Sequence, residues 1–273
     1  MKKIAFIGAG AMAEALVKGL IAADHLPAEG IWLTNHANEA RLQELHTAYG
    51  VSVTRNRTEL LEDADVIILS MKPKDAEAAM IYLKEANLKP GQIIVSVLAG
   101  IHTSFLERYL PEGQPVVRVM PNTSATILEA ATAVAAGVHA GSHEMQLVSS
   151  LFETVGTAVQ VEEDDMDAVT AISGSGPAYL YYMMEALEEA GTQVGLDEAI
   201  GKQLLIQTFK GAAKMLEQSD LTPAQLRANI TSAGGTTAAG IGVLEEKDVK
   251  AAIQACVQAA AARSKEMGQA FTK

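Results

Sequence analysis

The sequence predicts an α/β domain built on a mostly parallel sheet, followed by an all-helical domain. Three observations predict it. Short β-rich runs alternate with helical runs through the first part of the chain. The runs "VIIL" (66–69) and "IIVSV" (93–97) are apolar without polar alternation. After "VEEDDMD" (161–167) no convincing strand follows and helical periodicity takes over. Strands alternating with helices imply βαβ units. Strands apolar on both faces belong to sheets covered by helices on both sides. The boundary is placed near residue 160, giving domains 1–160 and 161–273 with no flexible linker between them.

The elements follow in order. "KIAFIG" (3–8) is a strand and Ala11–Ala23 a helix. "IWLTN" (31–35) is a strand, Ala37–Ala48 a helix and "VSV" (51–53) a short strand. "DVIILS" (65–70) leads to a helix over Asp75–Ala86, and "QIIVSVLA" (92–99) to one over Thr103–Tyr109. "PVVRVMP" (115–121) is a strand, and the apolar runs Thr132–Val138 and Ala158–Val161 extend the sheet. Helices are then expected over Tyr179–Glu189, ended by Gly191, and over Glu198–Glu217, Pro223–Asn229 and Asp248–Met267. The third opens on "TPAQ", where Thr222 is an N-cap, Pro223 suits the first helical position and Gln225 closes a capping box. "GAAK", "TTAAGIG" and "AAIQACVQAAAA" give the helical part thin faces of small residues. Such faces bury little apolar area each. The helical domain is therefore expected to gain burial by pairing with a second copy.

Composition narrows the function. The chain of 273 residues carries 21 Lys and Arg against 33 Asp and Glu, a formal charge of −12. That balance disfavours nucleic acid and anionic membrane surfaces, which need clustered cations. Aromatic residues are 4% of the chain, so the core must be aliphatic. Cys256 is the single cysteine, which excludes a disulfide or thiolate zinc site within one chain. The apolar N-terminal run is broken by Gly8 and Gly10 and reads as a strand, not a leader. With no charge-free window of transmembrane length, the expectation is a cytoplasmic protein. No metal site is expected: His139 and His143 are four apart, but Gly141 breaks the helix that spacing would need. No Ser-His-Asp set appears, and all six histidines precede residue 150. Chemistry needing little acid–base help is favoured, such as hydride transfer to an activated carbon.

"GAGAMA" (8–13) is a Gly-x-Gly-x-x-Ala turn between a strand and a helix. Gly8 permits the tight turn, Gly10 lets backbone approach a pyrophosphate, and Ala13 allows close helix–sheet packing. Ala11 and Met12 open the helix whose N-terminus faces the anion. At the end of the second strand stand Thr34, Asn35 and His36, with Arg41 a turn onward and no carboxylate. A dinucleotide site for NAD carries Asp or Glu there, so NADPH is favoured and NADH remains possible. Ligands in such sheets bind beyond the carboxyl ends of the strands. Asn56, Met71, Lys72, Pro73, Ala99, Gly100, Pro121 and Asn122 follow strands and are expected around the cofactor. In "TSAGGTTAAG" (231–240), the backbone N–H groups of Gly234, Gly235, Thr236 and Thr237 enter a helix and can cradle a carboxylate. "SGSGPAY" (173–179) lacks the Gly-Lys-Ser/Thr ending of a phosphate loop and is read as packing.

Together "GAGAMA", "MKP", "RVMPNT", "ISGSGPAY" and above all "SAGGTTAAGIGVLE" resemble the pyrroline-5-carboxylate reductases over the whole chain. The resemblance implies a Rossmann-like dinucleotide-binding domain followed by an all-α dimerisation domain. It implies NAD(P)H-dependent reduction of the cyclic imine 1-pyrroline-5-carboxylate to L-proline by a homodimer or larger homo-oligomer. It puts Thr236 and Thr237 at the substrate, with the Thr237 hydroxyl as the catalytic group near the ring nitrogen. It adds Asn229, Ser232 and Glu163 to the substrate site, where the Glu163 carboxylate would stabilise an iminium. Two positions depart from the family pattern: His36 replaces an arginine and Ala233 a proline. The competing readings are a β-hydroxyacid-dehydrogenase-like enzyme, a related imine reductase, and a non-catalytic dinucleotide sensor. The first wants a proton donor or base that does not stand out in the helical half.

Overall fold

The computed structural model describes residues 1–269 and 271. In chain order the elements are β1 (Ile4–Ile7), α1 (Ala11–Ala22), β2 (Ile31–Thr34), α2 (Glu39–Tyr49), β3 (Ser52–Val53), α3 (Arg57–Leu61) and β4 (Val66–Leu69). Next come α4 (Ala76–Glu85), β5 (Ile93–Ser96), α5 (Thr103–Glu107), β6 (Val116–Met120), β7 (Ala130–Ala136), α6 (Ser142–Glu153) and β8 (Gly156–Gln160). The rest is helical: α7 (Met166–Val169), α8 (Gly176–Gln193), α9 (Glu198–Glu217), α10 (Pro223–Asn229), α11 (Thr236–Glu246) and α12 (Val249–Gln269).

The eight strands form one sheet in the order β3-β2-β1-β4-β5-β6-β7-β8. Pairing is parallel except between β6 and β7. The first six strands thus have the doubly wound order whose ligands lie beyond the strand carboxyl ends. Alternate residues of each strand enter opposite cores. Ile4, Phe6, Leu33, Ile68 and Val95 pack with Leu16 and Leu20 of α1, Leu45 of α2 and Phe152 of α6. Ala5, Ile67, Leu69 and Ile94 pack with Leu60 of α3, Met80 of α4 and Leu106 of α5. Burial on both faces is why the central strands show no polar alternation.

Several local outcomes differ from expectation. Gly141 does keep His139 and His143 off a common helix, but as the N-cap that starts α6, where the Glu144 carboxylate accepts from its N–H at 2.8 Å. His139 is left outside that helix and His143 inside it. Hydrogen bonds from its own backbone N–H and from that of Gly141 hold the Glu144 carboxyl below its ordinary value. Gly191 does not end α8, which continues to Gln193. The chain between β3 and β4 forms the short α3, N-capped by the Asn56 side chain. "SGSG" (173–176) begins inside a π-helical turn over Thr170–Gly174, and a methyl group added at Gly174 would meet Met120 Cε at 2.8 Å. The capping box at Thr222 and Gln225 is present as expected.

The chain divides into two compact units. One comprises Met1–Pro177 and the end of α12 from Ala259, the other Ala178–Gln258. Within 178–258 only Gly201 is buried. Large apolar side chains there are open, including Tyr182 (74% exposed), Val194 (84%) and Ile230 (71%). By itself this unit has no core.

Candidate functional site

The turn after β1 is built for close backbone approach. Gly8 has φ +118°, and a methyl group there would sit 2.6 Å from the Met71 nitrogen. Its N–H donates to the Thr34 carbonyl at 2.9 Å, and its carbonyl accepts from Ser70 Oγ at 3.1 Å. Gly8 is thus wedged between the ends of β2 and β4. Gly10 is the N-cap of α1 and supplies no side chain to its N–H groups. A methyl group added at Gly10 meets nothing within 4 Å. The first intrahelical bond is Glu14 N–H to the Gly10 carbonyl, which leaves the amides of Ala11, Met12 and Ala13 for an anion. Ala13, in the first turn of α1, is fully buried.

These glycines line a cavity of about 900 Å³. That is at the upper end of the size of cofactor sites. Asn35, His36, Met71 and Lys72 line it with Gly8 and Gly10. Open space at Gly10, free helix-start amides and cationic walls fit the diphosphate of a dinucleotide. Pro73, Ala99, Gly100 and Asn122 belong to the same unit but do not line this cavity. Pro73 opens a 3₁₀ turn for which Lys72 is the N-cap residue. Gly100, at φ +74°, lies against α12, 3.1 Å from Met267 Cβ by the same methyl construction. Asn122 caps the turn at Thr123–Ile127 and donates to the Ser173 carbonyl at 3.1 Å.

Several residues expected at the cofactor are engaged locally. Asn35 Nδ2 donates to the Asn38 carbonyl at 2.7 Å, and its Oδ1 accepts from the Asn38 N–H at 2.9 Å. Asn56 Oδ1 accepts from Thr58 and Glu59 N–H. Arg41 is no free cation. Its Nη2 pairs with Glu14, its Nη1 with Glu44 at 2.8 Å, and its Nε donates to the Ala9 carbonyl at 3.1 Å. The Arg41 hydrogen bond, helped by that of Tyr49, holds the Glu14 carboxyl below its ordinary value against the opposing effect of burial. Arg41 therefore braces the glycine turn. The cavity wall instead adds two residues that sequence reasoning missed, Arg55 and Arg57. Their signal was two arginines flanking an asparagine directly after the third strand.

Glu163 lies in a half-buried polar cluster. Its Oε1 accepts from Arg118 Nη1 at 3.0 Å and the Thr103 N–H at 3.2 Å, with His102 Nδ1 at 3.3 Å. Arg118, in β6, is 1% exposed. Nearby, Ser264 Oγ of α12 donates to Asp167 at 2.6 Å.

The second unit holds the other glycine turn. Gly234 has φ +73°, and a methyl group on it meets nothing within 4 Å. Gly235 is the N-cap of α11, again without a side-chain cap. A methyl group at Gly235 would sit 2.7 Å from Ser232 Oγ. The first intrahelical bond is Ala239 N–H to the Gly235 carbonyl, so the amides of Thr236, Thr237 and Ala238 are free to bind an anion. Thr237 is half-buried. Asn229 ends α10.

Comparison with known proteins gives consistent matches. Residues 163–267 match the family model described as pyrroline-5-carboxylate reductase dimerisation. Residues 3–100 match that described as NADP oxidoreductase coenzyme F420-dependent. Pyrroline-5-carboxylate reductase 1 of Bacillus subtilis is 46% identical over 272 residues, covering 100% of this chain and 91% of its own. Pyrroline-5-carboxylate reductase 2 of the same organism is 42% identical, covering 99% and 97%. Among solved structures, a pyrroline-5-carboxylate reductase from Coxiella burnetii superposes with a TM-score of 0.90 at 34% identity, covering 97% of this chain and 98% of that one. The pyrroline carboxylate reductase of Plasmodium falciparum, with NADP bound, gives 0.86 at 31% identity, covering 97% and 98%.

Proposed function

The chain belongs to the pyrroline-5-carboxylate reductase family and acts in proline biosynthesis as an NAD(P)H-dependent reductase of 1-pyrroline-5-carboxylate, and from that premise we propose how its residues divide the reaction. Full-length identity to reductases sets aside the carbonyl-dehydrogenase and sensor readings. The observation that carries the division is a pair of uncapped, glycine-led helix starts, α1 and α11, one in each unit.

The first unit holds the dinucleotide. The free amides of Ala11, Met12 and Ala13 take the diphosphate, with Lys72 on the wall of the cavity that Gly10 lines. When bound, the reduced nicotinamide supplies hydride to ring carbon 5 of the substrate. The second unit holds the substrate carboxylate on the amides of Thr236 and Thr237, which carry the positive end of α11. Gly234 supplies the left-handed turn that aims those amides. The Thr237 hydroxyl bonds the ring nitrogen, as donor to the imine or acceptor from the iminium. Asn229 and Ser232 flank the carboxylate. Glu163 is assigned to positioning: its charge is already shared by Arg118, which weakens its hold on a second cation. It fixes the Thr103 N–H, and with it the loop of Ala99 and Gly100. One substrate, one reduced cofactor and one proton give proline and oxidised cofactor.

Mixing the protein with 1-pyrroline-5-carboxylate and either reduced cofactor should remove the reduced nicotinamide absorbance and form proline. Absence of both changes with NADPH and NADH across pH would overturn the reading.

Homo-oligomerisation is supported by the match to a dimerisation family model and by the coreless second unit. Fully burying a single Leu or Ile is worth about 1.5–3 kcal/mol, so a second copy covering these helices would contribute many times that. Light scattering should give a dimer or larger at every dilution at which the chain stays folded. A folded monomer would sink the proposal. A cytoplasmic location fits an enzyme that draws on reduced dinucleotide and carries one unpaired cysteine. No described helix is long and apolar enough to cross a membrane.

A further inference from the structure

We propose that Arg57, laid on the ring of Tyr82, is the residue by which this chain distinguishes NADPH from NADH. The inference rests on the NAD(P)H-dependent reading above and adds to it a group for the adenosine 2′-phosphate.

Topology places Arg57 where that phosphate belongs. In doubly wound folds the adenosine ribose sits at the tip of the second strand. Here β3 pairs with β2, Leu33 opposite Val53, and the Thr54 N–H donates to the Leu33 carbonyl at 3.1 Å. The chain therefore leaves β3 beside the β2 tip, and Arg57 opens α3 four residues after Val53. Arg57 and Tyr82 line the same cavity as Asn35 and His36.

Elimination singles it out among the arginines and lysines of the cavity. The Asn35 side chain is held by Asn38, and the Asn56 carbonyl oxygen by the α3 amides. Arg41 is neutralised by Glu14 and Glu44. Arg55 pairs with Glu39 at 2.9 Å. Lys72 and Lys74 follow β4, on the far side of β1 from the β2 tip. Among the described residues Arg57 has no carboxylate partner within ion-pair distance, and its guanidinium lies over Tyr82, with Cζ 4.4 Å from the ring centroid. A guanidinium stacked on an aromatic face keeps its in-plane N–H fork free, and that fork matches the oxygens of a phosphate. An adenosine ribose without the phosphate offers it no such partner.

The test is titration of the whole protein with adenosine 2′,5′-bisphosphate and with adenosine 5′-monophosphate. It is paired with steady-state kinetics of 1-pyrroline-5-carboxylate reduction using each reduced cofactor. Wild type should prefer the bisphosphate. Arg57→Gln should weaken the bisphosphate about tenfold or more, as expected for losing a charge-assisted bond. It should raise KM for NADPH and leave the monophosphate and NADH kinetics unchanged. Tyr82→Phe, which keeps the aromatic platform, should behave as wild type. Tyr82→Leu should fall between wild type and Arg57→Gln. Equal weakening of both nucleotides, no weakening of either, or a wild type without preference overturns the proposal. If wild type prefers the bisphosphate yet reduces no substrate with either cofactor, the functional reading fails while the assignment of Arg57 survives.

Discussion

Arg118→Met should lower the free energy of unfolding by about 3 kcal/mol, at the low end for breaking a buried ion pair. Arg118 projects from β6, the third strand from the β8 edge of an eight-stranded sheet, and is 1% exposed. Its removal leaves the Glu163 carboxylate, 21% exposed, facing a protein interior with only the Thr103 amide and His102 as partners. An uncompensated charge, rather than lost packing, is then the source of the loss. The double variant Arg118→Met, Glu163→Leu removes both charges and should recover most of it, because apolar replacements of buried pairs are often neutral or stabilising. Arg118 Nη2 and Glu163 Oε2 are buried without a protein hydrogen-bond partner among the described residues. The pair therefore falls short of full bonding, which favours that recovery. Urea unfolding at one fixed protein concentration measures all three, since an oligomer's stability depends on concentration. A single variant within about 1 kcal/mol of the parent, the scatter of ordinary substitutions, would refute the account. So would a double variant less stable than the single one.

That pair also marks where sequence reading stops. The apolar runs "VIIL" and "IIVSV" announce a two-faced sheet because burial acts on every residue of the strand. Gly8 and Gly10 are legible because strand, turn and helix occur within one short stretch, and Thr222 with Gln225 because a capping box is local. Arg118 and Glu163 are 45 residues apart, and nothing local in either announces the other. Arg41 appears as a spare cation until the fold brings Glu14, 27 residues earlier in the chain, against it. Arg57 looks like a surface residue until Tyr82 of α4 lies beneath it. Gly141 interrupts any helix shared by His139 and His143 as expected, and its role there as a cap is a local matter. A glycine weakens a helix interior but is accepted at an N-cap, and Glu144 three residues on was the signal that separates the two. The candidate site thus shows in the sequence as two glycine turns. Its side-chain electrostatics depend on long-range contacts.

Thr237→Val should lower kcat/KM for 1-pyrroline-5-carboxylate about tenfold or more, since an unsatisfied or missing site hydrogen bond is worth roughly 1–3 kcal/mol. Dinucleotide binding should be unchanged, because the expected cofactor residues belong to the first unit. Thr237 is the second residue of α11. Its backbone amide therefore contributes to the carboxylate cradle whatever its side chain, and valine keeps both the β-branch and that amide. The substitution isolates the hydroxyl. Its hydrogen-bond capacity is unused by the protein among the described residues, unlike that of Thr231, whose hydroxyl donates to the Arg227 carbonyl at 2.6 Å. A hydroxyl that bonds the ring nitrogen more strongly as hydride arrives acts on the transition state, so the loss should appear mainly in kcat. A hydroxyl that only helps seat the carboxylate would raise KM and spare kcat. Thr237→Ser keeps the oxygen and should retain most of the activity. Valine kinetics indistinguishable from wild type would remove the hydroxyl from the reaction and leave α11 with the carboxylate alone.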